Sequence, residues 1–192
     1  SFGDAIAVYG SAFVAAAAYT FSDTFWFNAV ESEVYASSTL FVALIVWLMM
    51  RWHEEADNKG NERYLLLIAY LVGLSTGVHL FSILTLFSIV LVVYFRRYKF
   101  TVGSFLLTGV IGIVIFGIIY PGVVKVLPAM IGGDFLRTEA REYAYNDSIF
   151  VSMIAFLLIA GSGFGVWYGM KNKKPILNLA CSAFLLIILG YS

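Results

Sequence analysis

The chain has 192 residues, of which 61% are hydrophobic and 12% charged, and its formal net charge is zero. Soluble domains carry about 25% charged residues, so this composition excludes an ordinary soluble domain and places the chain in a lipid bilayer. A zero net charge supplies no basic field to attract nucleic acid, which excludes that class of partner as well.

A bilayer core needs about 20 apolar residues per helix. The first span expected on that criterion is alanine-rich and covers residues 5–22. An outer loop, residues 23–33, then carries Asp23, Trp26, Asn28, Glu31 and Glu33, and a second span follows at residues 34–50. After the polar stretch RWHEEADNKGNER come 32 residues, Tyr64 to Phe95, with no charge except on His79 when it is protonated. A single helix of that length would reach about 48 Å, against a hydrocarbon core of about 30 Å. Its middle reads GLSTGVHL, with Gly73 and Gly77 flanking Ser75 and Thr76. Such a stretch can break a helix, and the freed backbone groups then need protein or water partners. Two spans, residues 64–78 and 80–95, are therefore expected. Further spans cover residues 101–120, 149–170 and 176–191, with a long outer loop at residues 121–148. Within that loop KVLPAMIGGDFL reads as an amphipathic interfacial segment turning at Gly132 and Gly133.

Charge counting supports the break. With two spans, Arg51, Lys59, Arg63, Arg96, Arg97, Lys99, Lys171, Lys173 and Lys174 share one side, leaving Lys125, Arg137 and Arg141 on the other, nine against three. With one long helix the split is six against six, and the positive-inside rule favours the first arrangement. The expectation is an all-α polytopic transmembrane bundle of about seven membrane helices, 1–192 forming a single domain, with its N-terminus cytoplasmic. A chain that opens at Ser1 and closes inside an apolar run reads as part of a longer protein.

This topology gathers three polar features on the outer face: the acidic loop; Ser75, Thr76 and His79; and the segment bearing Arg137 and Arg141. An ionisable residue at a membrane edge is a functional candidate by default. Trp26, with Phe25, Phe27 and Tyr35, can hold the acidic loop at headgroup depth. There a partly desolvated carboxylate can act as a base or bind a cation. In a helix Glu31 and Glu33 cannot share a face, so one is expected to be functional and the other structural or secondary. Asp23 is placed to cap the helix beginning near FWFNAV. His79 can bind a phosphate or orient a carboxylate, the alternative being a hydrogen-bonded structural histidine. Arg137 and Arg141, four apart, can clamp a phosphate or lie on an exposed helix mixed with Glu139 and Glu142. LVGLSTG and GSGFG lack the Lys and strand context of phosphate loops, and there is no HExxH, CxxC or GxSxG. Cys181, the single cysteine, reads as a small core or lipid-facing residue. No metal site or cofactor is expected.

The stretch FSDTFWFNAVESEVYASSTLFVALIVWLMMRW, followed by YLLLIAYLVGLSTGVHLFSILTLFSIVLVVYF, resembles a bacterial membrane family known as domain of unknown function 2723. That family has a eukaryotic relative acting as a protein O-mannosyltransferase and is placed in the C-type glycosyltransferase (GT-C) superfamily. The most specific parts of the resemblance fall on Glu33 and His79. It implies transfer of a sugar from a polyprenyl-phosphate donor to a Ser or Thr hydroxyl of a translocated acceptor protein, at the outer face of a bacterial inner membrane. Inversion at the anomeric carbon is implied too. In the superfamily the principal catalytic aspartate lies in the first outer loop, which would precede Ser1, so Glu33 would be a supporting carboxylate and the chain alone would be inactive. Glu31 and Asp23 are weaker candidates for that role; His79, and as weaker candidates Arg137 or Arg141, would contact the donor phosphate, Tyr35 and Trp26 would line the sugar or lipid entry, and Asn28 would bind donor or acceptor. The competing readings are a transporter or channel segment whose broken helix and edge carboxylates form an ion site, and a structural membrane scaffold.

Overall fold

The structure, a computed structural model, describes residues 2–23, 25–26, 35–132 and 148–191. All regular structure among the described residues is helical. In chain order it comprises α1 (Phe2–Thr20), α2 (Tyr35–Glu55), α3 (Glu62–Val78), a 3₁₀ turn (Leu80–Leu84), α4 (Thr85–Arg97), α5 (Val102–Gly117), a π-helical stretch (Ile118–Val126), α6 (Leu127–Ile131), α7 (Ile149–Lys171) and α8 (Pro175–Tyr191). Three helices among the described residues are long and apolar enough to cross a membrane: α2, the run Val102–Ile131, and α7; α8 is apolar but shorter.

The polar residues between α2 and α3 explain how these helices are tied. Trp52 is almost fully buried, and its indole N–H donates to Asn61 Oδ1 at 3.2 Å. The Asn61 amide in turn donates to the carbonyls of Ala56 and Asn58, both at 2.8 Å. Arg96 donates from Nε to the His53 carbonyl at 3.2 Å and pairs with Asp57, while Arg97 reaches the Ala56 carbonyl. The C-terminal end of α4 therefore lies against the α2–α3 connection. Since α3 starts there and α4 finishes there, the chain reverses between them. Glu62 and Lys173 line one cleft, which puts the α7–α8 turn at this same basic end.

The reversal falls at His79, the one residue between α3 and the 3₁₀ turn, in extended conformation at φ −159°, ψ 136°. Gly73 lies inside α3 rather than at the break. A Cβ there would meet the backbone of Ile187, and one on Gly190 would meet that of Tyr70 and Leu74. These two glycines let α3 and α8 approach almost backbone to backbone, as small residues do between membrane helices. Gly165 and Gly169 do the same between α7 and α8, where Cys181 Sγ and Asn178 occupy the space a side chain would need.

The expected outer loop at residues 121–148 is corrected at its start: residues 121–131 continue the helix that began at Val102. Pro121 has no N–H to give and clashes with the carbonyl four residues back. The chain absorbs this in a π-helical stretch over Ile118–Val126 rather than by ending the helix. Leu127, Ala129 and Met130 are then buried, α6 packing on α7, so this segment is core and not interfacial. Ile45, Leu48, Ile68, Val72, Val123 and Ala155 belong to one continuous apolar core, from which α1 stands apart, with nearly all its residues exposed.

Candidate functional site

Opposite the basic end lie the start of α2, the end of α3 and the 3₁₀ turn. Tyr35, the first residue of α2, sets its ring against that of His79, with centroids 5.5 Å apart and planes tilted by 56°. Of the residues singled out in the sequence, these two are the ones the structure brings together.

His79 is held by a closed hydrogen-bond circuit. Its backbone N–H donates to the Ser75 carbonyl at 2.8 Å. The Ser75 hydroxyl donates to Ser82 Oγ at 2.7 Å, and the Ser82 hydroxyl donates to the His79 carbonyl at 3.2 Å. Ser75 and Ser82 are both fully buried, so the circuit is shielded from competing water and supplies the partners that a broken helix in lipid requires. Thr76 returns its hydroxyl to the Val72 carbonyl at 2.6 Å. His79 itself is half-buried. An imidazole anchored this way can present a hydrogen bond to an anionic oxygen or orient a carboxylate.

One turn along α2 from Tyr35, Ser38 is buried at 3% exposure, and its hydroxyl has no hydrogen-bond partner among the described residues. A buried hydroxyl without a partner calls for an explanation, and this one shares a helix face with Tyr35. The sequence signal for it, Ser37–Ser38–Thr39 just after Tyr35, was legible only once the face turned toward His79 was known.

The other candidates separate from this pair. Ser22, not Asp23, caps the turn after α1: its Oγ accepts from the Phe25 N–H at 3.3 Å, and its carbonyl accepts from the Trp26 N–H at 3.0 Å. Asp23 and Trp26 are exposed there, and Phe25 packs on Tyr19. Asn28, Glu31, Glu33, Arg137 and Arg141 lie outside the described residues. The helices on either side of the last two, α6 and α7, meet where Ser152 Oγ donates to the Ile131 carbonyl at 3.2 Å. At the same end Lys125 Nζ sits 4.7 Å above the Tyr120 ring, and the Tyr191 hydroxyl donates to the Val124 carbonyl.

Fold and site together describe a helical membrane protein with a cluster of polar side chains around His79, at the end opposite its basic loops. The sequence profile described as "Protein O-mannosyl-transferase TMEM260 N-terminal domain" matches residues 1–102, more than half of the chain. The chain belongs to that family, a family of glycosyltransferases by its name. The matched residues run from α1 through α4 and include the Tyr35–His79 pair. No curated protein and no solved structure matches the chain.

Proposed function

We propose that this chain is part of a C-type membrane glycosyltransferase that moves a mannose-like sugar from a polyprenyl-phosphate donor to a Ser or Thr hydroxyl of a translocated protein. The observation that carries this reading is that the O-mannosyl-transferase family match spans the same residues that fold into the Tyr35–His79 pair. In the reaction the acceptor oxygen attacks the anomeric carbon from the face opposite the leaving group. The carbon–phosphate oxygen bond breaks with its electron pair on the phosphate, and the hydroxyl proton passes to a carboxylate. Glu33 is the carboxylate proposed to receive or share that proton, with Glu31 and Asp23 as substitutes. It precedes Tyr35 by two residues, a covalent reach of about 7 Å. His79 and Ser38 supply hydrogen bonds to the departing phosphate, whose growing charge is what such donors stabilise. Arg137 and Arg141 add positive charge to the donor, Tyr35 lines the sugar, and Trp26 and Asn28 border the acceptor path. The enzyme sits in a bacterial cytoplasmic membrane, its N-terminus inside and this site outside.

The test is transfer of a radiolabelled polyprenyl-phosphate sugar to protein, in membranes holding the native chain that contains these residues. Glu33→Gln and His79→Ala are expected to reduce transfer at least about 100-fold, the range of general acid–base contributions, with normal protein levels. Transfer retained by both variants would remove these residues from the site. No transfer from any donor, together with substrate flux across vesicles, would favour transport.

A further inference from the structure

A cavity of about 410 Å³, with neither Tyr35 nor His79 in its lining, lies between the pair α3/α8 and the pair α4/α5. Its lining runs from Tyr98 and Ile176, next to the basic loops, to Ile119 and Ile187. Apart from Thr108 and the rings of Tyr94 and Tyr98, the lining is aliphatic. The twelve residues from Ile176 to Ile187 span about 17 Å along a helix, close to one leaflet of a hydrocarbon core about 30 Å thick. The slot is therefore too shallow for a membrane-spanning helix and deep enough for one acyl chain. Its Tyr98–Ile176 end lies beside the basic loops, so its lipid would come from the leaflet opposite His79.

The charges around that end indicate the headgroup. Arg51, Arg63, Arg96 and Arg97 each pair with a carboxylate. Lys99, next to Tyr98, and Lys174, two residues before Ile176, pair with none among the described residues, and both are exposed. Lys174 Nζ lies 5.3 Å above the Tyr168 ring, a contact that leaves its charge uncompensated. Lys99 and Lys174, close in sequence to the slot-lining Tyr98 and Ile176, thus carry uncompensated charge among the described residues, as do Lys59, Lys171 and Lys173 at the same end.

We propose that this slot binds an anionic phospholipid, one acyl chain lying between α3/α8 and α4/α5 and the phosphate between Lys99 and Lys174. The site is independent of the transferase reading and requires only that the chain be embedded in a membrane. Basic pockets between helices on the cytoplasmic side recognise anionic headgroups in this manner.

The experiment uses the full native chain in nanodiscs of equal phosphatidylglycerol and phosphatidylcholine, released into mild detergent, with retained lipids counted by native mass spectrometry. Wild type is expected to retain phosphatidylglycerol in preference to phosphatidylcholine. Lys99→Gln and Lys174→Gln should each lower that preference about fivefold. Ala183→Phe, which fills the slot, should lose both lipids; if it melts too early to be folded, Ala180→Leu makes the same test with a smaller addition. Equal retention of the two lipids, or an undiminished preference in both lysine variants, would overturn the proposal. So would a lipid-free slot, whether the mass shows a monomer or a second copy of the chain.

Discussion

Two serines near His79 make opposite predictions. Ser82→Ala removes the donor to the His79 carbonyl and one acceptor of the Ser75 hydroxyl, which keeps the Val72 carbonyl at 3.1 Å. A buried group left without its partner costs about 1–3 kcal/mol, so this variant should melt below wild type in detergent, and its transfer activity should fall with it. Ser38→Ala removes a buried hydroxyl that has no partner among the described residues. It should be as stable as wild type or more so, within about 1 kcal/mol, yet transfer more slowly where Ser38 serves the donor phosphate. A Ser38→Ala protein that is less stable and equally active would assign the hydroxyl a structural role. At this scale the sequence shows which residue types are unusual in lipid, and so it points to His79 and Tyr35. It does not show that Ser75 and Ser82 close a ring around the His79 backbone, because that ring depends on the chain entering a 3₁₀ turn directly after one extended residue.

The helices themselves depend on where their backbones can approach. Gly73→Ala and Gly190→Ala each force a methyl into the backbone of the facing helix. Overpacking of this kind costs about 1–3 kcal/mol, whereas Gly109→Ala, which faces open space, should gain up to about 1 kcal/mol in helix propensity. Thermal unfolding of the three variants side by side checks the contrast. Lys173 occupies the left-handed position after α7 at φ 53°, with the Lys174 N–H bonded to the Gly169 carbonyl at 2.8 Å. Glycine is favoured in that position, and Lys173→Gly should raise stability by about 1 kcal/mol. Helix positions are legible in the sequence wherever an apolar run ends in charge, as α7 does at Lys171 and α4 at Arg96 and Arg97. They are illegible at Pro121, which reads as a stop. Whether a proline ends a helix or is absorbed by a π-helical stretch depends on the packing beyond it, here Leu127 and Met130 entering the core.

For the whole molecule the decisive quantity is how many times the chain crosses between Lys59 and Gly132. If α3 and α4 ran as one crossing, these two residues would share a side of the membrane. The extended His79 and the contacts of Arg96 and Arg97 with the α2–α3 connection instead bring α4 back to where α3 began. The run Val102–Ile131 is long and apolar enough to cross once more, and in the proposed arrangement Lys59 and Gly132 then fall on opposite sides. The proposed orientation, with the nine-cation side cytoplasmic, has Lys59 inside. Lys59→Cys and Gly132→Cys, each in a Cys181→Ala background, separate the two arrangements, since both positions are exposed. With a membrane-impermeant maleimide applied to intact cells, Gly132→Cys is expected to react, and Lys59→Cys only after the membrane is opened. The reverse pattern would keep the fold and invert its orientation, moving the Tyr35–His79 site to the cytoplasm and ending the proposal that it meets translocated protein. Reaction of both from one side would remove the reversal at His79, and with it the site built on that reversal.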